Sequence, residues 1–238
     1  TLVNVMAVLL AGIAGTFGGH LFPKRFQKTL MVTCGISVIL LGIASALSYM
    51  LVIQDNRLSV QGSMMMILSL ALGALVGEAI DLEKKLETFA QWLKEKSGNR
   101  NDSRFIEGFM NASLTICVGA MAIVGSIQDG LLHQPHTLYA KAILDFIIIL
   151  VMSASLGKGC LFSAIPVFVL QGSMTALAAL LEPFFTPAAM VNLNIVGNVL
   201  ITCVGINLLF PKTIRVANLL PGLLIAIGFS YLRLPFLM

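Results

Sequence analysis

The chain has 238 residues, of which 58% are apolar and only 11% charged, with a net charge of +4 and a mean hydropathy of +0.94. A water-soluble domain of this length carries roughly a quarter charged residues, so most of this surface must meet an apolar solvent. The basic excess lies beside apolar runs and not in a stripe interleaved with aromatics, which excludes a nucleic-acid partner.

The expected fold is all-α: one transmembrane domain over residues 1–238, a polytopic bundle of about eight spans with the lipid bilayer as its solvent. A crossing takes about 20 mostly apolar residues for a hydrocarbon core of about 30 Å. The runs that qualify are 2–22, 30–53, 62–80, 106–128, 138–157, 160–181, 188–210 and 214–232. The first has no basic leading region, and its glycines from Gly12 to Gly19 suit helix packing, so it is not a signal peptide. The opening at Thr1 implies that a few residues, including the initiator, precede it. Gly15-x3-Gly19 and Gly73-x3-Gly77 predict close helix contacts.

After the third run, Leu82, Leu86, Phe89 and Leu93 recur at helical spacing opposite Lys84, Glu87, Lys94 and Glu95. That pattern predicts an amphipathic helix over 81–97 on the cytoplasmic interface, with Trp92 at headgroup level, and a flexible loop over 98–105. Docking of a partner is the alternative role for the same helix. Glu78 and Asp81 lead into it. Further on, Gly157-Lys158-Gly159 makes either a tight turn between two crossings or a kink or re-entrant element.

Twelve of the fifteen basic residues fall on the connections after spans 1, 3, 5 and 7: Lys24, Arg25, Lys28, Lys84, Lys85, Lys94, Lys96, Arg100, Arg104, Lys158, Lys212 and Arg215. Arg57, Lys141 and Arg233 lie on the other face. The positive-inside bias therefore predicts both termini outside. An internal repeat is also expected. Thr33-Cys34-Gly35, Thr115-Ile116-Cys117-Val118-Gly119 and Thr202-Cys203-Val204-Gly205 resemble one another, and Gln54-Asp55 echoes Gln128-Asp129. The first match is parallel and the match of span 4 to span 7 is inverted; chance likeness within a small membrane alphabet is the competing account. Where repeats are real, transporters place their site at the repeat interface.

Asp145 is the sharpest candidate site residue, because an aspartate near a span centre costs about 2.5–3.5 kcal/mol on insertion scales and must face protein or water. Lys141 lies one turn away and is spaced to pair with it. Functionally, Asp145 would bind a cation or carry a proton, with Lys141 as an internal counter-charge displaced by substrate. The bland alternative has Lys141 reaching to the interface while Asp145 bonds a neighbouring helix. Asn111 and Ser113 on span 4, Gln171 on span 6, Asn198 on span 7, Asn218 on span 8 and Asn4 on span 1 complete the candidate set. Such amides and hydroxyls are ordinary interhelical glue singly, and a hydrated interior collectively. Pro221 and Pro166 are expected to break spans 8 and 6, freeing the carbonyls of Ala217 and Phe162 as cation ligands, or else to make simple kinks.

His133 and His136 lack a third metal ligand, and Cys34, Cys117, Cys160 and Cys203 sit in apolar runs without metal-type spacing. No metal site and no cofactor are expected. There is no P-loop, GxSxG, HExxH or dinucleotide fingerprint, so no catalytic residue is assigned and an enzyme is not expected.

Several local patterns then point the same way: Thr1-Leu2-Val3-Asn4 with its Gly-rich continuation, Pro23-x-Arg25-Phe26, Leu72-Gly73-Ala74-Leu75-Val76-Gly77-Glu78 and Cys117-Val118-Gly119-Ala120-Met121. Gly125-Ser126-Ile127-Gln128-Asp129-Gly130, Lys141-Ala142-Ile143-Leu144-Asp145, Gln171-Gly172 and Asn218-Leu219-Leu220-Pro221 extend them. With these the chain resembles, over nearly its whole length, the uncharacterised bacterial integral membrane proteins of the YdfK/YqgA type. The resemblance implies the bacterial inner membrane and carries no activity with it. The function expected from the residues is secondary, ion-coupled transport of a small polar solute or monovalent ion. A passive channel and a non-transporting scaffold acting through residues 81–105 stand as alternatives, and assembly with further copies of the chain is left open.

Overall fold

The structure is a computed structural model. It describes residues 1–19, 23–54, 57–100, 102–117, 122–123, 125–126, 129–130, 133–181, 183, 185–210 and 213–232. Helix α1 (Leu2–Gly19) is an uninterrupted apolar run without proline. Pro23 starts α2 (Lys24–Met50), and the chain turns extended at Leu51 to leave it. There the polypeptide forms a hairpin of β1 (Leu51–Gln54) and β2 (Arg57–Val60), antiparallel with Leu51 opposite Val60 and Ile53 opposite Leu58. The expected all-α fold is thus corrected to a helical one with a two-stranded hairpin. Leu51, Val52 and Ile53 suit a strand as well as a helix, and their apolar run hid the change.

Left-handed residues, Gly62 at φ 75° and Asp81 at φ 53°, bracket α3 (Ser63–Ile80). Next come α4 (Leu82–Lys96), α5 (Phe105–Cys117) and α6 (His136–Leu156). Gly157, at φ 84°, ends α6 and leads through a 3-10 turn (Lys158–Ser163) into α7 (Ala164–Ala176). Helix α8 (Pro187–Leu209) opens with proline in its first turn, and Thr186 Oγ1 accepts from the Ala189 N–H at 3.2 Å. The short turn Val216–Leu219 precedes α9 (Pro221–Phe229), which again opens on proline.

Among the described residues, four helices are long and apolar enough to cross a membrane: Ser63–Ile80, His136–Leu156, Lys158–Ala176 and Pro187–Leu209. The expected count of about eight spans is overturned. Leu2–Gly18, Gly35–Met50, Phe105–Cys117 and Val216–Phe229 are the shorter apolar stretches among the described residues. Hydropathy counts apolar letters; it does not see that a hairpin cuts one run and Pro221 another. Lys212 and Arg233 of the cation pattern lie outside the described residues, as do Asp55, Val118, Gly119 and Gln128 of the repeat and Ala120, Met121 and Ile127 of the family motifs.

Two glycine-mediated helix pairs organise the bundle. Along α1, Gly12 abuts Leu161, and Gly15 meets the Leu150 carbonyl and Ser153 of α6. Helices α2 and α8 run antiparallel, with Gly35 against Leu209 and Gly205, and Gly42 against Asn198 and Thr202. Between the pairs lies a core that includes Val8, Ala11, Val38, Ile116, Ile149 and Met152. The outward faces carry exposed Phe17, Leu40, Leu75, Ile143 and Leu224, a distribution suited to lipid. Helix α4 packs Ala90 and Leu93 against Phe105 and Phe109, and leaves Trp92 exposed and stacked on Phe89 at 5.8 Å.

Candidate functional site

Asp145 lies in the third turn of α6, on the face that turns toward α1. The glycine contacts of α1 let the two helix backbones approach, and this brings Asn4 onto the carboxylate. Asn4 Nδ2 donates to Asp145 Oδ2 at 2.9 Å, and Lys141 Nζ donates to Oδ1 at 2.9 Å. All three are buried, with exposures of 0% for Asn4, 3% for Asp145 and 8% for Lys141. Lys141 therefore does not extend to the interface. It neutralises the acid one turn below it, and each carboxylate oxygen holds one donor.

A second layer of polar groups lies beside this cluster. Thr1 Oγ1 and Thr175 Oγ1, 2.9 Å apart, tie the start of α1 to the end of α7. One turn further into each helix stand Asn4 and Gln171. Gln171 is 1% exposed, and among the described residues neither amide atom has a partner; Asn4 Oδ1 lacks one as well. Ser113 Oγ on α5, Ser153 Oγ on α6 and Thr16 Oγ1 on α1 are buried and unpartnered too. Leaving such a group unmet costs about 1–3 kcal/mol, so these atoms call for water or a ligand.

The remaining candidates stand elsewhere. Asn111 is buried on α5, and its carbonyl accepts from Thr115 Oγ1 at 2.7 Å. On α8 the Asn198 carbonyl accepts from Thr202 Oγ1 at 3.0 Å and lies against Gly42. Asn218 Oδ1 accepts from the Glu83 N–H at 2.7 Å, while Glu83 Oε2 accepts from the Ala217 N–H at 3.0 Å. This reciprocal cap joins the starts of α4 and of the turn Val216–Leu219, far from Asp145 in sequence and in role. Burial pushes the Glu83 carboxyl above its ordinary value, opposed by the Ala217 N–H. Glu83 was not legible beforehand, because its partners lie more than 130 residues away. The expectation of free carbonyls is corrected: the Ala217 carbonyl accepts from Leu220 N at 3.2 Å. Pro166 falls in the first turn of α7, where a helix needs no N–H. Asn207 instead clamps the loop after α8, donating to the Ile214 carbonyl at 2.7 Å and accepting from its N–H at 2.9 Å.

The sequence was compared with known proteins. The family described as "Protein of unknown function (DUF554)" matches residues 1–231. The chain belongs to the DUF554 family. One relative, "Uncharacterized protein YqgA" of Escherichia coli (strain K12), is 30% identical over 232 residues, covering 96% of this chain and 94% of the relative. Another, "Uncharacterized membrane protein YdfK" of Bacillus subtilis (strain 168), is 30% identical over 218 residues, or 90% of this chain and 89% of the relative. No solved structure matches. With its apolar helices, this DUF554 chain is a multi-pass bacterial membrane protein.

Proposed function

We propose that the protein is not an enzyme but an ion-coupled secondary carrier of a small polar solute or monovalent ion, with Asp145, Lys141 and Asn4 as its ion or proton site. The observation that carries this reading is a carboxylate 3% exposed in an apolar bundle, held by one tethered cation and one amide. A buried pair of this kind contributes little net stability over apolar packing, so its presence argues for a role beyond holding the fold. Protonation of Asp145, or arrival of a cation there, releases Lys141 and breaks the bond to Asn4, which loosens α1 from α6. The unpartnered Gln171, Ser113 and Ser153 supply polar lining around it. The antiparallel meeting of Gly35 with Gly205, each from a Thr-Cys-Gly-type segment, supports an inverted repeat in the same scheme. Thr1 bonds Asp129 and Thr175, while Arg104 bonds the Ser155 carbonyl at the far end of α6; in keeping with this we place the six cations of residues 84–104 in the cytoplasm and both termini outside.

Proteoliposomes carrying a trapped proton- or sodium-sensitive dye, challenged with a library of small polar solutes, should show solute-dependent ion entry that Asp145→Asn abolishes. Uptake indifferent to both gradients, and unchanged in Asp145→Asn, overturns the reading.

A further inference from the structure

The hairpin is amphipathic in the reverse of the usual sense. Its register places Leu51, Ile53, Leu58 and Val60 on one face; Ile53 and Leu58, 78% and 71% exposed, point outward, while Val60 at the hairpin's exit also borders the cavity behind. The opposite face sends Val52, Gln54 and Ser59 into a cavity of 560 Å³. A hairpin in water turns its polar side out. Here the apolar side is outside and the polar side inside, an arrangement that suits lipid outside and polar contents within.

The cavity wall is completed by Gln61 at the hairpin exit, Asn192 of α8, and Phe229 and Ser230 at the end of α9. Among the described residues, no charged side chain lines it. Arg57, exposed on the same hairpin face as Gln54, stands outside that lining. Three of the wall's donor hydrogens are spent on backbone: Gln61 Nε2 on the Tyr49 carbonyl at 3.0 Å, Asn192 Nδ2 on the Ala226 carbonyl at 3.1 Å, and Ser230 Oγ on the Ile227 carbonyl at 2.6 Å. These bonds orient the side chains and leave their oxygens as acceptors. Gly62, at φ 75°, lies close against the Ile195 side chain at the hairpin's exit. The volume falls within the range of about 300–1,000 Å³ typical of small-molecule sites.

We propose that this hairpin-walled cavity binds an uncharged solute rich in hydroxyl groups, a polyol or sugar-like molecule. The site is separate from Asp145, and its occupancy does not depend on the carrier reading. In a carrier it would receive the solute while Asp145 receives the ion.

Single cysteines at Ile53, Gln54, Leu58 and Ser59 in proteoliposomes, treated on both faces with a water-soluble maleimide, read out the two faces. Gln54→Cys and Ser59→Cys should react about tenfold or more faster than Ile53→Cys and Leu58→Cys, since a thiol in lipid does not ionise. Erythritol should then slow labelling of Ser59→Cys, while choline chloride and sodium acetate at equal concentration should not. Ser103→Cys, on the polar connection before α5, serves as the unprotected control. Adding Asn192→Leu to Ser59→Cys should keep the labelling and remove the protection. Equal reaction on both strand faces, protection by either ion, or no protection by erythritol overturns the proposal. The assay uses no gradient, so failure of coupled uptake and failure of this site are separate results.

Discussion

Asp145 shows at the scale of one residue how a membrane interior constrains chemistry. Both carboxylate oxygens are occupied by donors at 2.9 Å, and removing the acid strands a buried ammonium. Asp145→Asn is therefore expected to lower stability by about 3–5 kcal/mol, as for other broken buried pairs. Replacing both partners, as in Asp145→Leu with Lys141→Met, should restore near-parental thermal unfolding in detergent. The double variant would still lack any ion response, which separates folding from function. Asn4→Leu takes away only the Oδ2 donor and should cost about 1–3 kcal/mol. The pair itself was legible, because i and i+4 are neighbours on any helix. Asn4 was singled out as polar but not as the partner, since it lies 141 positions away and only the packing of α1 on α6 closes that distance. Gln171 was legible as a buried amide, but its lack of any bond was not.

Glycine contacts decide which helices meet at the scale of elements. Gly77 abuts the backbone carbonyl of Asn218, which cannot yield as a side chain does. Gly77→Ala should cost about 1–3 kcal/mol, whereas Gly172→Ala on α7, with open space around it, should be neutral or gain about 0.5–1 kcal/mol. Melting temperatures of the purified variants in detergent discriminate the two. The Gly73-x3-Gly77 motif announced a close contact; that the contact would be the turn before α9 was not in the motif. Glu83 adds a pH dependence to the same region. Its carboxyl holds its proton more tightly folded than unfolded, chiefly through burial. Its contribution is therefore fully present below the ordinary value of 4.5 and is lost as pH rises through the raised value. Glu83→Gln keeps an acceptor for the Ala217 N–H and should flatten the fall in melting temperature over that window. The strand turn at Leu51 was the least legible element, because nothing in an apolar run of three states its period.

The composition settled the class of the whole molecule and misjudged its number of crossings. Among the described residues, the eight apolar runs leave four full-length candidates and four shorter apolar stretches. The proposed threading has its own check. Tags at both termini should be reached from outside in intact spheroplasts, and trypsin should cut the segment carrying Lys84 to Arg104 only in inverted vesicles. Cleavage of that segment in spheroplasts contradicts the threading. The bond between Asn4 and Asp145 also bears on biogenesis. Because translation runs from the amino end, α1 is made before the acid of α6 emerges from the ribosome. Helix α1 thus serves as a waiting receptor for the most awkward later passenger of the chain, and a protein deprived of it would strand the carboxylate during insertion, before any question of transport arises.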